Sequence, residues 1–319
     1  MTPSGPSPVV SVLIPVFNAA PYLASALASV QAQTFADFEI IAVDDGSTDG
    51  SSGILDRIAA SEPRLRVIRR PNTGIVGALN DGLAATRGEF IARMDADDLC
   101  LPERFARQLE YLRRHPDCVC VGSAFRYIDD MGSHLKECRR QTAHDAIERD
   151  LLTGDGGAII HPAAMFRRDA VVRAGAYREA AQWVEDLDLY LRLARVGRLA
   201  NLEGVLLYYR LHVQSVNYTR NHGRHERKVA TLAAAHAARG LAFDASRHPA
   251  PSAPARITAD DLRDFAITAL QFGRDGRPWR YALRALRTAP AEPASWRTLW
   301  YIFKHRVGLI NARPDHPCR

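Results

Sequence analysis

The chain has 319 residues, of which 47% are hydrophobic and 24% are charged, which is the balance of a soluble globular protein. Its mean hydropathy is -0.20, and no uninterrupted apolar run reaches about 18 residues, which excludes a transmembrane helix. The formal net charge is +6, and residues 221–319 carry 17 Lys and Arg against 8 Asp and Glu. This basic part either attracts phosphate-bearing partners or forms a solvated helical surface.

Residues 1–8 are rich in Pro, Ser and Gly and lack the basic start and apolar stretch of a signal peptide. We therefore predict a disordered leader there. The five cysteines form an odd set without zinc-site spacing: Cys100, Cys118, Cys120, Cys138 and Cys318. Two of them alternate along an apolar segment, as buried thiols in a strand do, which favours a reducing cytoplasm.

The first third of the chain alternates apolar strands with helices. The predicted strands are 9–14 (ended by a proline), 38–43, 65–69 and 89–94, and the predicted helices are 21–33, 53–60 and 74–86. This alternation indicates parallel βαβ units, whose sheets bind ligands at the carboxyl ends of their strands.

The remaining elements are a helix over 102–114, a strand over 119–127, a helix over 184–196, a strand over 205–210, and helices that follow Pro278 and Pro293. The stretch from the 119–127 strand to about residue 155 has no clear assignment. We predict one domain over 9–220 and a helical region over 221–319, with a linker near 245–256. The last two helices carry two apolar faces, which are Trp279, Leu283 and Leu286, and Trp296, Leu299, Trp300 and Phe303.

Three acidic motifs follow predicted strands or begin predicted helices. In the first, Asp95 and Asp97 follow a buried strand, and residues two apart in an extended segment point the same way. Two carboxylates that meet at one point suit Mg²⁺ or Mn²⁺, which would place positive charge where a diphosphate departs. The alternative is an acidic turn that caps the next helix, a role that suits Asp98 in particular.

The second motif, Asp44-Asp45-Gly46-Ser47-Thr48-Asp49, ends the second strand. A carboxylate there can accept the imide N–H of uracil or ribose hydroxyls. For the last three residues of the motif we favour capping of the following helix.

The third motif, Trp183-Val184-Glu185-Asp186-Leu187-Asp188, opens a helix. One of its carboxylates can accept the proton of an attacking hydroxyl. Acids that merely complement the helix macrodipole are the alternative.

Five segments, in order over roughly 9–218, resemble family 2 glycosyltransferases of the inverting, GT-A type found in bacterial polysaccharide and lipopolysaccharide assembly. The segments are VSVLIPVFNAAPYLASALASVQAQTFADFEIIAVDDGSTDGS, PNTGIVGALNDGLAATRGEFIARMDADDLCLPERF, HPAAMFRR, EDLDLYLRLARVG and YYRLHVQSVN. The resemblance implies an α/β fold of the GT-A nucleotide-diphospho-sugar transferase kind, with a mostly parallel central sheet flanked by helices and a C-terminal helical appendage.

The resemblance also implies a donor site. Its residues would be Pro15, Val16, Phe17 and Asn18 bordering the nucleoside, Asp45 and Asp44 holding the base, Arg69, Asn72 and Gly74 near the diphosphate, and Arg93, Asp95 and Ala96 beside them. An arginine inside a buried strand needs a charge partner, and for Arg93 a diphosphate or a neighbouring aspartate would serve.

For the metal and the chemistry, the resemblance implies a DxD motif at Asp95 and Asp97, with Asp97 as the direct ligand of Mn²⁺ or Mg²⁺. Asp186 would be the catalytic base and Glu185 would help to orient a substrate. His212 would face the diphosphate or the metal, although a structural role for it, and for His161, stays open. The reaction would be an inverting single displacement from a nucleotide-diphospho-sugar, with UDP favoured, to a hydroxyl of a glycan or lipid-linked acceptor.

The C-terminal region carries none of the family's shared motifs, and three interpretations of it compete. Its tryptophans pack as a helical lid, or meet the inner face of the cytoplasmic membrane together with its basic residues, or mediate self-association.

Other classes of function are disfavoured. A nucleotidyltransferase would need a Gly-rich basic loop where residues 15–20 stand, and the fingerprints of dehydrogenases and P-loop NTPases are absent. The basic appendage has no nucleic-acid-binding motif. The remaining rival is an inactive, transferase-like protein that binds a nucleotide sugar or acts as a scaffold.

Overall fold

The structure, a computed structural model, describes residues 7–212, 223–250, 258–272 and 278–307. Six of the eight predicted leader residues, and Cys318, lie outside the described residues. The chain divides into two compact units. The first comprises Met1–Phe125, Cys138–Tyr209 and His222–Ser252, and the second comprises Arg126–Glu137, Arg210–Asn221 and Ala253–Arg319.

Four parallel strands form the first half of the sheet, as the βαβ pattern predicts. The elements are β1 (Val10–Val16), α1 (Ala20–Gln31), β2 (Phe38–Asp44), α2 (Ser51–Ala59), β3 (Leu65–Arg69), α3 (Ile75–Ala85) and β4 (Phe90–Arg93). The strands lie in the order β3-β2-β1-β4, and each pairing is parallel. Their carboxyl ends therefore meet at one edge of the sheet.

The first strand runs two residues further than predicted, through Pro15 to Val16. The oxygen of Leu13 accepts from Met94 on the β4 side, and the oxygen of Val16 accepts from Asp45 on the β2 side. Because successive residues alternate sides, the nitrogen of Pro15 faces the β4 side, beyond the last β1–β4 pair. No ladder N–H is needed there, so a proline can end the strand without breaking it.

The second half of the sheet has antiparallel pairings. Its elements are β5 (Leu99–Cys100), α4 (Arg104–Arg114), β6 (Cys118–Ile128), β7 (His134–Cys138), α5 (His144–Leu152), β8 (Met165–Arg167), α6 (Arg168–Arg173), α7 (Glu185–Leu193), β9 (Arg198–Arg210) and α8 (Arg224–Ala237). The order continues β4-β8-β6-β9-β5, with β7 beside β6, and the pairs β4–β8, β6–β8 and β5–β9 are antiparallel.

Five of these elements were not predicted from the sequence, namely β5, β7, β8, α5 and α6, and β9 begins seven residues before its predicted start. Most of them are two to six residues long, too short for a periodic pattern to emerge. Within β6, Cys118 and Cys120 are buried free thiols, as predicted. The predicted boundary near residue 221 stays a prediction, and contacts group α8 with the first unit.

The second unit contains α9 (Ala259–Phe272), α10 (Pro278–Thr288) and α11 (Pro293–Arg306). Its small core is built on Ala266, Ala282 and Ile302, with Leu270, Trp279, Tyr281 and Leu299 packed against them. The apolar faces predicted for the last two helices are only partly buried, because Leu283, Trp296, Trp300 and Phe303 are exposed. Among the described helices, none has the length and apolar character needed to cross a membrane.

Candidate active site

Three aspartates cluster in the loop after β4. Asp95, Asp97 and Asp98 each offer a carboxylate oxygen, and these oxygens lie within 4.8 Å of one another. Asp98 is buried, with 1% of its surface exposed. The prediction that Asp98 caps the next helix is wrong, because α4 begins at Arg104 with Glu103 before it and has no side-chain cap.

Arg93, at the end of β4, finds its charge partner in this cluster. Its Nη1 lies 2.5 Å from Oδ2 of Asp95, so a neighbouring aspartate serves, as sequence analysis allowed. Burial works against the guanidinium charge, but Asp95 outweighs it and the pKa of Arg93 is raised. For Asp95, burial raises the pKa of the carboxyl, and Arg93 opposes that rise.

Arg104 fixes the backbone from which the cluster projects. This fully buried side chain donates from Nη2 to the carbonyl oxygens of Arg93 (2.7 Å) and Ala164 (3.1 Å), and from Nη1 to the Sγ of Cys100 (3.2 Å). Its Nε donates to Gln108 at 3.0 Å. A single residue of α4 therefore holds the end of β4, the end of β5 and the segment before β8 together.

The loops after β1 and β2 are tied to each other. Asn18, with φ of 50°, donates its N–H to Ser47 at 3.1 Å and accepts from the N–H of Thr48 at 2.8 Å. Asp49 accepts from Ser51 at the start of α2 and from Ala20 at the start of α1. Asp49 thus supports the start of two helices, in keeping with the capping role expected of this motif.

Asp44 and Asp45 differ in their surroundings. Asp44 accepts from the N–H of Ser47 at 2.9 Å and from the hydroxyl of Ser52, so it stabilises its own turn. Asp45 accepts from the N–H groups of Thr73 (3.2 Å) and Gly74 (3.0 Å), which links β2 to the β3–α3 loop. Both carboxylates lie at the predicted nucleoside edge.

Arg70, which sequence analysis did not select, lies beside Asp45. Its Nε is 3.5 Å from Asp45 Oδ1 and 3.2 Å from Asp81 Oδ2, and its side chain is mostly buried. Arg69, which was predicted to lie near the diphosphate, instead pairs with Asp56 of α2, and its side chain is half exposed. Arg69 is the last residue of β3 and Arg70 is the first residue of the following loop, and the two side chains take different partners.

The two carboxylates at the start of α7 lie in a buried setting. Oε2 of Glu185 is buried, with no hydrogen-bond partner among the described residues. Burial, and then the negative charge of Asp186, raise the pKa of Glu185 to about 7. Asp186 accepts the N–H of Leu187 at 2.7 Å. Burial raises the pKa of its carboxyl as well, although this hydrogen bond and Arg224 oppose the rise.

The backbone before α7 is strained and closely packed. Trp183 has φ of 74°, a conformation rare for a bulky residue, and such strain clusters at functional sites. The side chain of Gln182 fills the space beside Gly74, where an added Cβ would lie 2.4 Å from Nε2 of Gln182. Asn80 of α3 exchanges two hydrogen bonds with the backbone of Tyr177. These contacts hold the start of α7 against the β3–α3 loop.

Arg224, the first residue of α8, was not predicted to belong to the site. Burial raises the pKa of both Glu185 and Asp186, and the positive charge of Arg224 opposes that rise. Lys228, one turn later, lies across Gly154, where an added Cβ would be 2.5 Å from Cε. Gly156, which lies in the same loop as Gly154, is close to both carboxylate oxygens of Asp186. No local motif marks Arg224, because only packing brings α8 to this place.

The two candidate histidines have different positions. His161 is buried in a short 3₁₀ helix, its Nε2 is 3.0 Å from the hydroxyl of Tyr177, and burial lowers its pKa well below the usual value. A neutral, hydrogen-bonded histidine fits the structural role. His212 follows β9 and belongs to the second unit, and its metal role stays a prediction.

The arrangement suits a divalent cation and an anionic leaving group. Clustered carboxylate oxygens are the donors that Mg²⁺ and Mn²⁺ prefer, so the residues present fit the predicted metal. The electrostatic influence of Asp186 reaches Asp95, and that of Arg93 reaches Asp186 and Glu185, so the acids of the two elements share one region. Carboxylates able to hold a cation, beside carboxylates able to accept a proton, can support transfer of a group from a diphosphate.

Comparisons with known proteins agree with this geometry. The model of the family described as glycosyl transferase family 2 matches residues 11–174. The amylovoran biosynthesis glycosyltransferase AmsE of Erwinia amylovora is 34% identical over 214 residues, which cover 66% of this chain and 79% of that protein.

Two solved structures share the fold. S. aureus TarS 1–349 in complex with UDP has a TM-score of 0.56 at 18% identity, covering 94% of this chain and 91% of that chain. The mannosyltransferase PcManGT from Pyrobaculum calidifontis, in complex with GDP-Man and Mn²⁺, has a TM-score of 0.52 at 20% identity, covering 96% and 82%.

Proposed function

The chain belongs to glycosyl transferase family 2, and from this membership we propose that it moves a sugar from a nucleotide-diphospho-sugar to a hydroxyl acceptor with inversion. The predicted GT-A fold class and the assignment as a transferase are confirmed by the family and by the solved neighbours. The observation that carries the proposal is the acidic cluster after β4, near the buried carboxylates of α7.

The donor occupies the carboxyl ends of β1, β2 and β4 in this proposal. UDP is the proposed nucleotide, and the UDP complex of TarS, a protein of the same fold, supports it. Asp45 and Arg70 meet at the nucleoside end of this edge. The other residues that we propose to contact the donor are Pro15, Val16, Phe17, Asn18, Asp44, Asn72, Gly74 and Ala96.

Asp97 and Asp95, with Asp98 beside them, would hold Mn²⁺ or Mg²⁺. The Mn²⁺ complex of PcManGT supports a divalent ion. When bound, the metal supplies positive charge for the departing diphosphate. Arg93 adds a buried positive charge on the same side.

In the reaction that we propose, Asp186 accepts the proton of the acceptor hydroxyl. The acceptor oxygen forms a bond to the anomeric carbon while the bond from that carbon to the diphosphate oxygen breaks. The nucleoside diphosphate leaves with the electron pair, and no covalent intermediate forms on the protein. The raised pKa of Asp186 makes its carboxylate a better proton acceptor than an exposed aspartate. Glu185 orients a substrate beside it.

The acceptor that we propose is a hydroxyl of a glycan or of a lipid-linked glycan, in polysaccharide or cell-envelope assembly. The amylovoran biosynthesis role in the name of AmsE supports polysaccharide assembly. A lipid-linked acceptor would be met at a membrane surface, on the cytoplasmic side where nucleotide sugars are made.

The test is release of nucleoside diphosphate from a panel of UDP-, GDP- and dTDP-sugars, with Mn²⁺ or with EDTA, in the presence of a detergent-solubilised lipid-linked acceptor pool. We expect release from one donor class that needs the metal. Asp97→Ala and Asp186→Asn should each lower kcat by about 100-fold or more, the usual contribution of such groups.

Two matched variants control for surface charge. Asp117→Ala removes an exposed aspartate, and Asp145→Asn changes an exposed acid in the first turn of α5. Both should keep wild-type rates. Absence of release, together with absence of nucleotide binding, would overturn the proposal and favour the inactive scaffold.

A further inference from the structure

One helix of the second unit presents an apolar stripe to solvent. Trp296, Trp300, Phe303 and Val307 are spaced by four, three and four residues, so they lie on one side of α11 and its last turn. Trp296 and Trp300 are 56% and 55% exposed. The opposite side of the helix already fills the core through Ile302. The stripe is therefore not the packing face of this unit.

The stripe continues toward α10. The ring of Phe303 lies 5.4 Å from that of Trp300 and 6.3 Å from that of Trp279, measured between centroids. Leu283, on the outer side of α10, is also exposed. An apolar surface of this kind, with large aromatic residues, marks an interaction site rather than scattered surface residues.

Basic side chains border this surface at Lys304 and Arg297, and the two helices that carry it are rich in further basic residues. Residues 278–307 contain six Lys and Arg and one acidic residue, Glu292, which is paired with Arg263 of α9 at 2.6 Å. Lys304 lies over the ring of Trp300 at 5.2 Å. By helical position, Arg297 flanks the stripe on the same side as Lys304. Within the described part of the chain, Arg284, Arg287 and Arg297 form no ion pair.

The positive charge around the stripe favours an anionic lipid surface over a second copy of this chain as the partner. A symmetric contact between two copies of this face would bring the basic border of one copy against that of the other, which is unfavourable. An anionic lipid surface complements the border, while the tryptophans suit the boundary between headgroups and acyl chains.

We propose that the stripe Trp296, Trp300, Phe303 and Val307, with its basic border, binds the surface of a membrane that contains anionic lipid. This role extends beyond sugar transfer and does not require it. Because the helix lies in the interface rather than spanning it, the absence of a spanning helix among the described residues is compatible with it.

The test is co-sedimentation of the full chain with vesicles of phosphatidylethanolamine and phosphatidylglycerol, compared with pure phosphatidylcholine. We expect binding to the anionic vesicles that weakens in high salt. The double variant Trp296→Ser/Trp300→Ser should weaken binding at least about tenfold, equivalent to about 1.4 kcal/mol. Arg284→Glu/Arg287→Glu/Arg297→Glu should also weaken it.

The matched control is Val172→Ser/Leu241→Ser, which removes two exposed apolar side chains of the first unit and should leave binding unchanged. Circular dichroism and the midpoint of thermal unfolding check that each variant is folded. Failure of wild type to bind anionic vesicles would overturn the proposal. Binding that the tryptophan variant retains in full would overturn the role of the stripe. Tryptophan-dependent dimers without vesicle binding would assign the face to self-association instead. None of these outcomes depends on whether the sugar-transfer proposal succeeds.

Discussion

Glu185 is a carboxyl whose burial should lower the stability of the folded protein at high pH. Its buried oxygen has no hydrogen-bond partner among the described residues, and its pKa is raised from 4.5 to about 7. Between these two values the folded protein keeps a proton that the unfolded chain has released. The stability from this group is therefore fully present below about pH 4.5 and is lost as the pH rises through about 7.

We predict that Glu185→Gln removes this loss of stability at high pH. In EDTA and without nucleotide, the variant should be more stable than wild type above pH 7, by on the order of 2–3 kcal/mol, because no charge is buried. Urea unfolding at pH 5, 6, 7 and 8 measures the difference. Glu179→Gln, which changes an exposed glutamate in the short 3₁₀ helix before α7, is the control, and its stability should follow that of wild type at every pH. If the stability of Glu185→Gln also follows that of wild type at every pH, the prediction that a charge is buried at Glu185 is contradicted.

At the scale of elements, the seating of α3 on the sheet depends on Gly82. A Cβ at this position would lie 2.1 Å from Cδ1 of Leu13 and 3.0 Å from Cγ2 of Val43, which are both buried. The glycine therefore allows α3 to approach β1 and β2 closely. Since α3 begins at the Gly74 loop that Asp45 binds, this seating also positions the donor site.

We predict that Gly82→Ala lowers the free energy of unfolding by about 1–3 kcal/mol, because overpacking outweighs the better helix propensity of alanine. The matched control is Gly53→Ala in α2, where the nearest atom to an added Cβ is 3.9 Å away. That variant should be neutral or more stable by up to about 1 kcal/mol. Urea unfolding tests both, and equal effects from the two substitutions would contradict the packing argument.

At the scale of the whole molecule, the proposed donor site joins the carboxyl ends of β1, β2 and β4, the Gly74 loop and the start of α7. Ligands that bridge these segments should therefore stabilise the folded chain. We predict that UDP with Mn²⁺ raises the Tm of the chain. The free energy of unfolding should rise by about 2.7 kcal/mol when the ligand concentration is 100 times Kd. UDP alone or Mn²⁺ alone should raise the Tm by less, because the positive charge of the metal and the negative charge of the diphosphate offset each other only when both are bound. Differential scanning fluorimetry measures the shift.

Asp97→Ala should abolish the part of the shift that depends on Mn²⁺, and Asp117→Ala should not. The same titration with His212→Ala tests the proposed metal role of that residue. If UDP raises the Tm of the wild type equally with and without Mn²⁺, the assignment of the acidic cluster as a metal site is contradicted.

The amino-acid sequence determined the order of the elements from β1 to β4 and singled out the acids that follow β2 and β4. Periodicity and turn residues are local properties, so the parallel strands β1 to β4 and the helices between them could be predicted to within about two residues. The motifs at Asp45, Asp95 and Asp97 follow these strands directly. Parallel strands end at one edge, so their convergence could be predicted as well.

Only the tertiary structure decided which neighbours complete the site. Arg69 ends β3 and Arg70 follows it, and packing, not pattern, brings Arg70 to Asp45 and Arg69 to α2. Arg104 and Arg224 act on the site from helices that local periodicity does not connect to it. The same holds for the last helix, where the pattern gives an apolar face but only the fold shows that Trp296 and Trp300 remain in solvent. The physical reason is that a residue's chemistry is local, whereas its partners come from contacts between segments far apart in the chain.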